Sequence, residues 1–214
     1  MLTDALPRNK ILRTQFKKSD GLRTLKVPKN DRLRQLTAAI EEALASGQTR
    51  VVRLACAKFV GVAAEFYKVR CPEIRILGSR PRRVWELGDV TVASTELFGD
   101  YRPGTNVIRV WMRTAVRNQT TSFGTFFSTL CHEFCHHLDV QRFNFQGSPH
   151  PRGFFGRTAA LYHHARGTAY KRLFWIALPG ERYRIDWHRT NRSAATRSRS
   201  DAAVQIQAIP GGRD

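Results

Sequence analysis

The sequence predicts an α+β fold in which helices pack on a small antiparallel sheet of about three strands. Three patterns carry that expectation: apolar residues recur at helical spacing between residues 31 and 69, alternate strictly from Val107 to Arg113, and return to a helical stripe around residues 123 to 138. With 214 residues, 42% of them hydrophobic, the chain has apolar material for one core and is short for two. Arg53, Lys58 and Gly61 interrupt the stretch from Val51 to Ala64, so no window reaches the roughly 18 apolar residues of a membrane span.

Residues 1–30 read as a basic, poorly ordered N-terminal arm that ends in Val27-Pro28-Lys29-Asn30, ahead of Asp31, a helix-capping residue. Leu33, Leu36, Ala39, Ile40, Ala43 and Leu44 then share one helical face as far as Gly47. A second helix, from about Arg50 to Val69, is apolar nearly all round through Val52, Leu54, Cys56, Phe59, Val60, Ala63 and Phe66, which predicts a buried scaffold. Strands are expected at Ile74 to Leu77, at Val84 to Phe98 with a break near Gly88-Asp89, and at Val107 to Arg113. In the last of these, Ile108, Val110 and Met112 face the core while Arg109, Trp111 and Arg113 face water. The turn formers of residues 99–104 predict an antiparallel hairpin joining the last two strands. The domain is therefore expected to span residues 31–178, with residues 179–214 as a basic, disordered C-terminal tail.

Charge narrows the partners. Lys and Arg total 36 against 17 Asp and Glu, a formal charge of +19, with residues 1–30 contributing +6 and residues 171–214 a further +5. Polybasic arms attract polyanions through phosphate contacts and counterion release, which makes nucleic acid the leading non-substrate partner. The N-terminus has no continuous apolar leader, and Cys56, Cys71, Cys131 and Cys135 form no Cys-x-x-Cys pair. Reduced thiols and a cytoplasmic location, at the nucleoid where nucleic acid is bound, are the expectation.

The chemistry lies in His132-Glu133-Phe134-Cys135-His136. Two histidines four apart on a helix differ by about 40° in direction and about 6 Å in height, so both imidazoles can reach one Zn²⁺. The glutamate beside the first can reach a water on such an ion and take its proton. Composition alone yields this motif only ~0.01 times in a chain of this length. On a helical wheel Phe123, Phe126, Phe127, Leu130, Phe134 and Leu138 fall opposite His132, whereas Thr125, Thr129, His136 and Asp139 share its face. A histidine pair used for core packing would lie among the phenylalanines. His137 points elsewhere and reads as a packing or hydrogen-bonding residue, and Cys131 and Cys135 read as small buried thiols.

Catalytic zinc needs a third protein ligand. An extension of the motif with Gly and His three and six residues after the second histidine is excluded, because Asp139 and Arg142 stand there. Glu181, the sole downstream glutamate, adjoins Pro179-Gly180 and fits a helical ligand poorly. His150, after Gly147-Ser148-Pro149 and ahead of a helical pattern through Phe154, Leu161 and Ala165, is the leading candidate; His163 and His164 compete with it.

In Thr129-Leu130-Cys131-His132-Glu133-Phe134-Cys135-His136-His137 and His150-Pro151-Arg152-Gly153-Phe154, the chain resembles the SprT-like zinc metalloproteases, which include the Spartan DNA-protein crosslink proteases. The strand from Asn106 to Arg113 is similar to theirs, and the resemblance covers residues 31 to 170. It implies a compact zincin-like domain that binds zinc through His132, His136 and His150, with Glu133 as general base for peptide hydrolysis, acting on proteins at nucleic acid. Two departures stand out: Pro151 occupies a position where family members usually carry Gly, and no cysteine follows Cys135 to build the zinc ribbon many of them possess.

Asp139 is placed to orient a ligand or to form a salt bridge, Trp111 to pack or to stack on a base, and Tyr162, His163, Arg166 or Tyr170 to donate to an oxyanion. Two other classes fit the same sequence. One is a catalytically inert zincin-fold module that binds nucleic acid or a partner, against which Glu133 argues; the other is a regulatory metallopeptidase of the ImmA/IrrE type, against which the His150 segment argues.

Overall fold

A computed structural model describes residues 1–87, 90–146 and 149–192. The expected strand break at Gly88-Asp89, the Gly147-Ser148 part of the turn before His150, and the tail beyond residue 192 lie outside the described residues. The architecture is mixed helix and strand. Helix α1 (Lys10–Gly21) precedes α2 (Arg32–Ala45) and α3 (Thr49–Tyr67), which pack against each other. Strands β1 (Glu73–Ser79), β2 (Arg82–Leu87), β3 (Val90–Glu96), β4 (Gly99–Arg102) and β5 (Val107–Arg113) lead to α4 (Phe123–Gln141) and α5 (Arg152–Arg166), followed by the hairpin of β6 (Trp175–Leu178) and β7 (Arg182–Ile185). Among the described residues no helix is long and apolar enough to cross a membrane.

The main sheet has the order β1-β5-β4 and is mixed, not antiparallel as expected. Strand β1 runs parallel to β5, from Glu73 opposite Val107 to Ser79 opposite Arg113, because the β2–β3 hairpin supplies the long crossover that a parallel neighbour requires. Among the described strands, β4 is the one that pairs antiparallel with β5. Residues 99–102, read from composition as a turn, are that strand, and the chain reverses at residues 103–106, where Asn106 takes a left-handed φ of 55°. As the central strand, β5 is covered on both faces, so the expected wet side does not exist at Trp111, which is 7% exposed. The indole instead lies under the Arg109 guanidinium, 5.1 Å away, and Arg109 pairs with Asp100 on β4.

Helix α3 is amphipathic rather than buried all round. Val52, Cys56, Phe59, Val60, Ala63, Ala64 and Tyr67 form the buried stripe, while Leu54 and Phe66 point outward and are exposed. A single core gathers that stripe with Leu33 and Ile40 of α2, Ile74 and Ile76 of β1, Ile108, Val110 and Met112 of β5, and the apolar backs of α4 and α5.

The N-terminal segment is not a loose arm. Asn9 caps α1 by accepting from the N–H groups of Ile11 and Leu12, Phe16 and Ser19 are buried, and the helix packs on α5. Gly153 makes this approach possible: a Cβ there would lie 1.9 Å from the Ser19 carbonyl oxygen. The boundary expected at residue 178 likewise divides the β6–β7 hairpin, and helical residues 187–192 follow it.

Candidate metal centre

The centre is built on the two-faced character of α4. Ser122 opens the helix by accepting from the Thr125 N–H, and Phe126, Phe127, Leu130, Phe134 and Leu138 bury its back, with the Phe127 ring 5.2 Å from Phe59. The opposite face presents His132 and His136. The chain then returns so that His150, just ahead of α5, meets both: the three Nε2 atoms stand 3.1 to 3.2 Å from one another. Ligand nitrogens on a regular tetrahedron with Zn–N bonds of about 2.0–2.1 Å are separated by about 3.3 Å. A mutual hydrogen-bond triangle needs a donor at one end of each contact, whereas three lone pairs aimed at one point suit a cation. These three histidines could hold a metal ion.

Their surroundings keep His132 and His136 in the neutral, ligating form. Burial, and then the neighbouring His150, push His132 down to about 3; burial, and then the other two imidazoles, carry His136 well below its ordinary value. The first turn of α5 walls the rings, with Phe154 stacked on His136 at 4.3 Å between centroids and edge-on to His132 at 4.8 Å.

Glu133 sits beside the cluster, only 6% exposed. Burial first, and then the Asp100 carboxylate, push its carboxyl up to about 8, while the Tyr101 backbone N–H opposes the rise. Strand β4 reaches this position because residue 99 is glycine: a Cβ there would meet Thr129 Cγ2 at 2.6 Å and Glu133 Cγ at 2.9 Å. A cavity of about 390 Å³ opens over the histidines between β4 and the segment carrying His150, with Gly99, Tyr101, Glu133 and Phe145 among its walls. A second, of about 340 Å³, shares His132 and is walled mainly by apolar side chains, including Phe155, Leu173, Ile185 and Trp187.

Other residues singled out in the sequence fall elsewhere. His137 is fully buried with Nδ1 3.2 Å from the Tyr101 hydroxyl, and His163 Nδ1 lies 2.8 Å from Thr168 Oγ1. Neither His163 nor His164 joins the cluster. Cys131 and Cys135 are buried thiols. Tyr162 and His163 line the 340 Å³ cavity, whereas Arg166 is 3.6 Å from Glu41.

Asp139 is not among the clustered ligands. It forms a buried bidentate pair with Arg157, 2.6 and 3.0 Å, whose remaining N–H groups donate to the carbonyls of Ser19 and Leu22 and to Ser19 Oγ. Burial nonetheless raises the Asp139 carboxyl to about 6, against the pull of Arg157. Replacing Arg157 with Leu removes the partner of a buried carboxylate and strands two carbonyls. We expect a loss of about 3–5 kcal/mol of stability at neutral pH, read from urea unfolding.

Comparison with protein families, with curated proteins and with solved structures finds no match to this chain.

Proposed function

We propose that the protein is a zinc-dependent endopeptidase of the SprT-like type that acts on proteins bound to or near nucleic acid. The observation that carries the reading is the convergence of three imidazole Nε2 atoms beside a buried carboxylate, at the floor of an open cleft bounded by the edge strand β4. Three imidazoles at tetrahedral spacing favour Zn²⁺, with the cleft leaving room for substrate and water. When bound, Zn²⁺ polarises a carbonyl and lowers the pKa of water.

The chain's own groups supply the rest. An extended polypeptide can add along the edge of β4 away from β5, where Glu133 already holds the Tyr101 N–H, and this aligns its backbone across His132 and Glu133. Glu133, buried beside the three histidines, takes a proton from the attacking water and returns it to the leaving amine. The apolar cavity beyond His132 is large enough to receive a bulky apolar side chain of the substrate. The test is hydrolysis of an unfolded protein by zinc-loaded protein, with and without DNA. Cleavage should vanish on chelation and return with Zn²⁺; its absence under all these conditions overturns the reading.

Nucleic-acid contact is assigned to exposed basic faces. On α1, Lys10, Arg13, Lys17 and Lys18 are exposed, while Phe16 and Ser19 are buried. Neutralising these four residues is expected to lower the slope of log affinity against log salt for duplex DNA by about 0.9 for each phosphate that the helix no longer neutralises. An unchanged slope removes α1 from the interface.

A further inference from the structure

We infer that Asp4 is a positioning residue of the metal centre, holding the His150 ring so that its Nε2 completes the three-histidine set. The inference rests on the metal-binding reading above. His132 and His136 are fixed by their places on one helix, but His150 lies ahead of α5, where no helical ladder sets its ring. Two contacts from the N-terminal segment do so instead. Asp4 Oδ2 lies 3.0 Å from His150 Nδ1, and the Asp4 N–H donates to the His150 carbonyl at 3.3 Å. Side chain and backbone of one residue thus grip ring and backbone of another.

The grip is itself anchored. The Thr3 N–H donates to the Tyr183 carbonyl at 2.8 Å, the Tyr183 N–H returns a bond to Thr3 Oγ1 at 2.8 Å, and the Ile185 N–H donates to the Met1 carbonyl at 3.2 Å. Residues 1–3 are therefore laid along β7, with Thr3 buried, and hand Asp4 on to His150. A carboxylate accepting from Nδ1–H fixes the tautomer whose Nε2 carries the lone pair, and it increases the basicity of that nitrogen. Among the described residues, His150 is the member of the trio with a carboxylate on its second ring nitrogen, the arrangement expected where the chain alone gives a ligand least support.

The experiment measures zinc affinity by competition with a chromogenic chelator for wild type, Asp4→Asn, Asp4→Ala and the strand control Thr3→Ala, together with the visible spectrum of each Co²⁺-loaded protein. Asp4→Ala should weaken zinc about 10- to 100-fold and alter the Co²⁺ bands, while melting of the metal-free protein stays near wild type. Asp4→Asn, which keeps an acceptor for Nδ1–H without the charge, should recover part of the loss. Thr3→Ala should leave affinity and spectrum close to wild type, since it loosens the strand without touching His150. Tight zinc in wild type with the same affinity and spectrum in Asp4→Ala overturns the positioning role alone. An equal loss in Thr3→Ala overturns it in favour of general docking of the segment, and a wild-type protein that takes up no zinc overturns this inference and the metal reading together.

Discussion

Deleting residues 1–30 is expected to leave a chain that neither folds cooperatively nor binds zinc, although composition marks this segment as a disposable basic arm. The deletion removes Asp20, which accepts from the Arg152 backbone N–H at the start of α5 and pairs with its guanidinium at 2.5 Å. It also removes the Ser19 and Leu22 carbonyls that satisfy buried Arg157, and the buried side chains of Phe16 and Leu25. Leaving the buried Arg157 N–H groups without those acceptors costs about 1–3 kcal/mol apiece, to which the lost apolar burial adds, against a total stability of about 5–15 kcal/mol for a domain. Asp4 and its hold on His150 go as well. Thermal melting by circular dichroism and zinc content of the truncated chain provide the check. A cooperative melt near the full-length midpoint with one bound zinc would return residues 1–30 to the status of a tail. For this reason nucleic-acid binding is better probed by neutralising the exposed lysines and arginine of α1 than by truncation.

The contrast between that segment's composition and its packing shows where sequence patterns stop being informative. Helices α2, α3, α4 and α5 are legible because their buried faces repeat at helical spacing within a dozen or so residues. The β5 strand is legible from its alternation, yet the burial of Trp111 is not, because it depends on which strands flank β5 and what covers its second face. Parallel pairing of β1 with β5 is a fact of topology that neither strand's composition encodes. In the candidate centre, His132, Glu133 and His136 announce themselves by local spacing, and His150 by elimination over a short loop. Asp4 and Asp20 lie 146 and 132 residues from the partners they hold, so no local pattern links them. Gly99 carries a weaker signal. It is visible as a turn former, but its use is close approach of β4 to Thr129 and Glu133, which only the fold reveals. Arg157 offers a hint in being charged on a helix face otherwise lined by Phe154, Leu161 and Ala165, and Asp139, one turn beyond His136, is its distant complement.

Glu133→Gln is expected to separate chemistry from structure most sharply. The substitution keeps the side chain's size and leaves an amide oxygen for the Tyr101 N–H, and it touches none of the three histidines, so fold, zinc content and DNA binding should match wild type. Hydrolysis should fall by at least about 10²- to 10⁴-fold, because an amide cannot accept the proton that the attacking water must release. Stability should move in the opposite direction. Burial and Asp100 raise the Glu133 carboxyl from an ordinary value of 4.5 to about 8, so the folded metal-free protein holds a proton that the unfolded chain releases. The charged carboxylate therefore destabilises the fold progressively as pH rises from about 4.5 to about 8, and the variant escapes that penalty. Metal-free Glu133→Gln should melt above metal-free wild type at pH 8 and level with it near pH 4, where the wild-type carboxyl is protonated in both states. A side chain kept at a cost to stability and needed for turnover but not for metal is the signature of a proton-transfer group. Equal cleavage by variant and wild type would remove Glu133 from the mechanism. Absence of cleavage by either, with zinc bound by both, would leave the three histidines as an inert metal site.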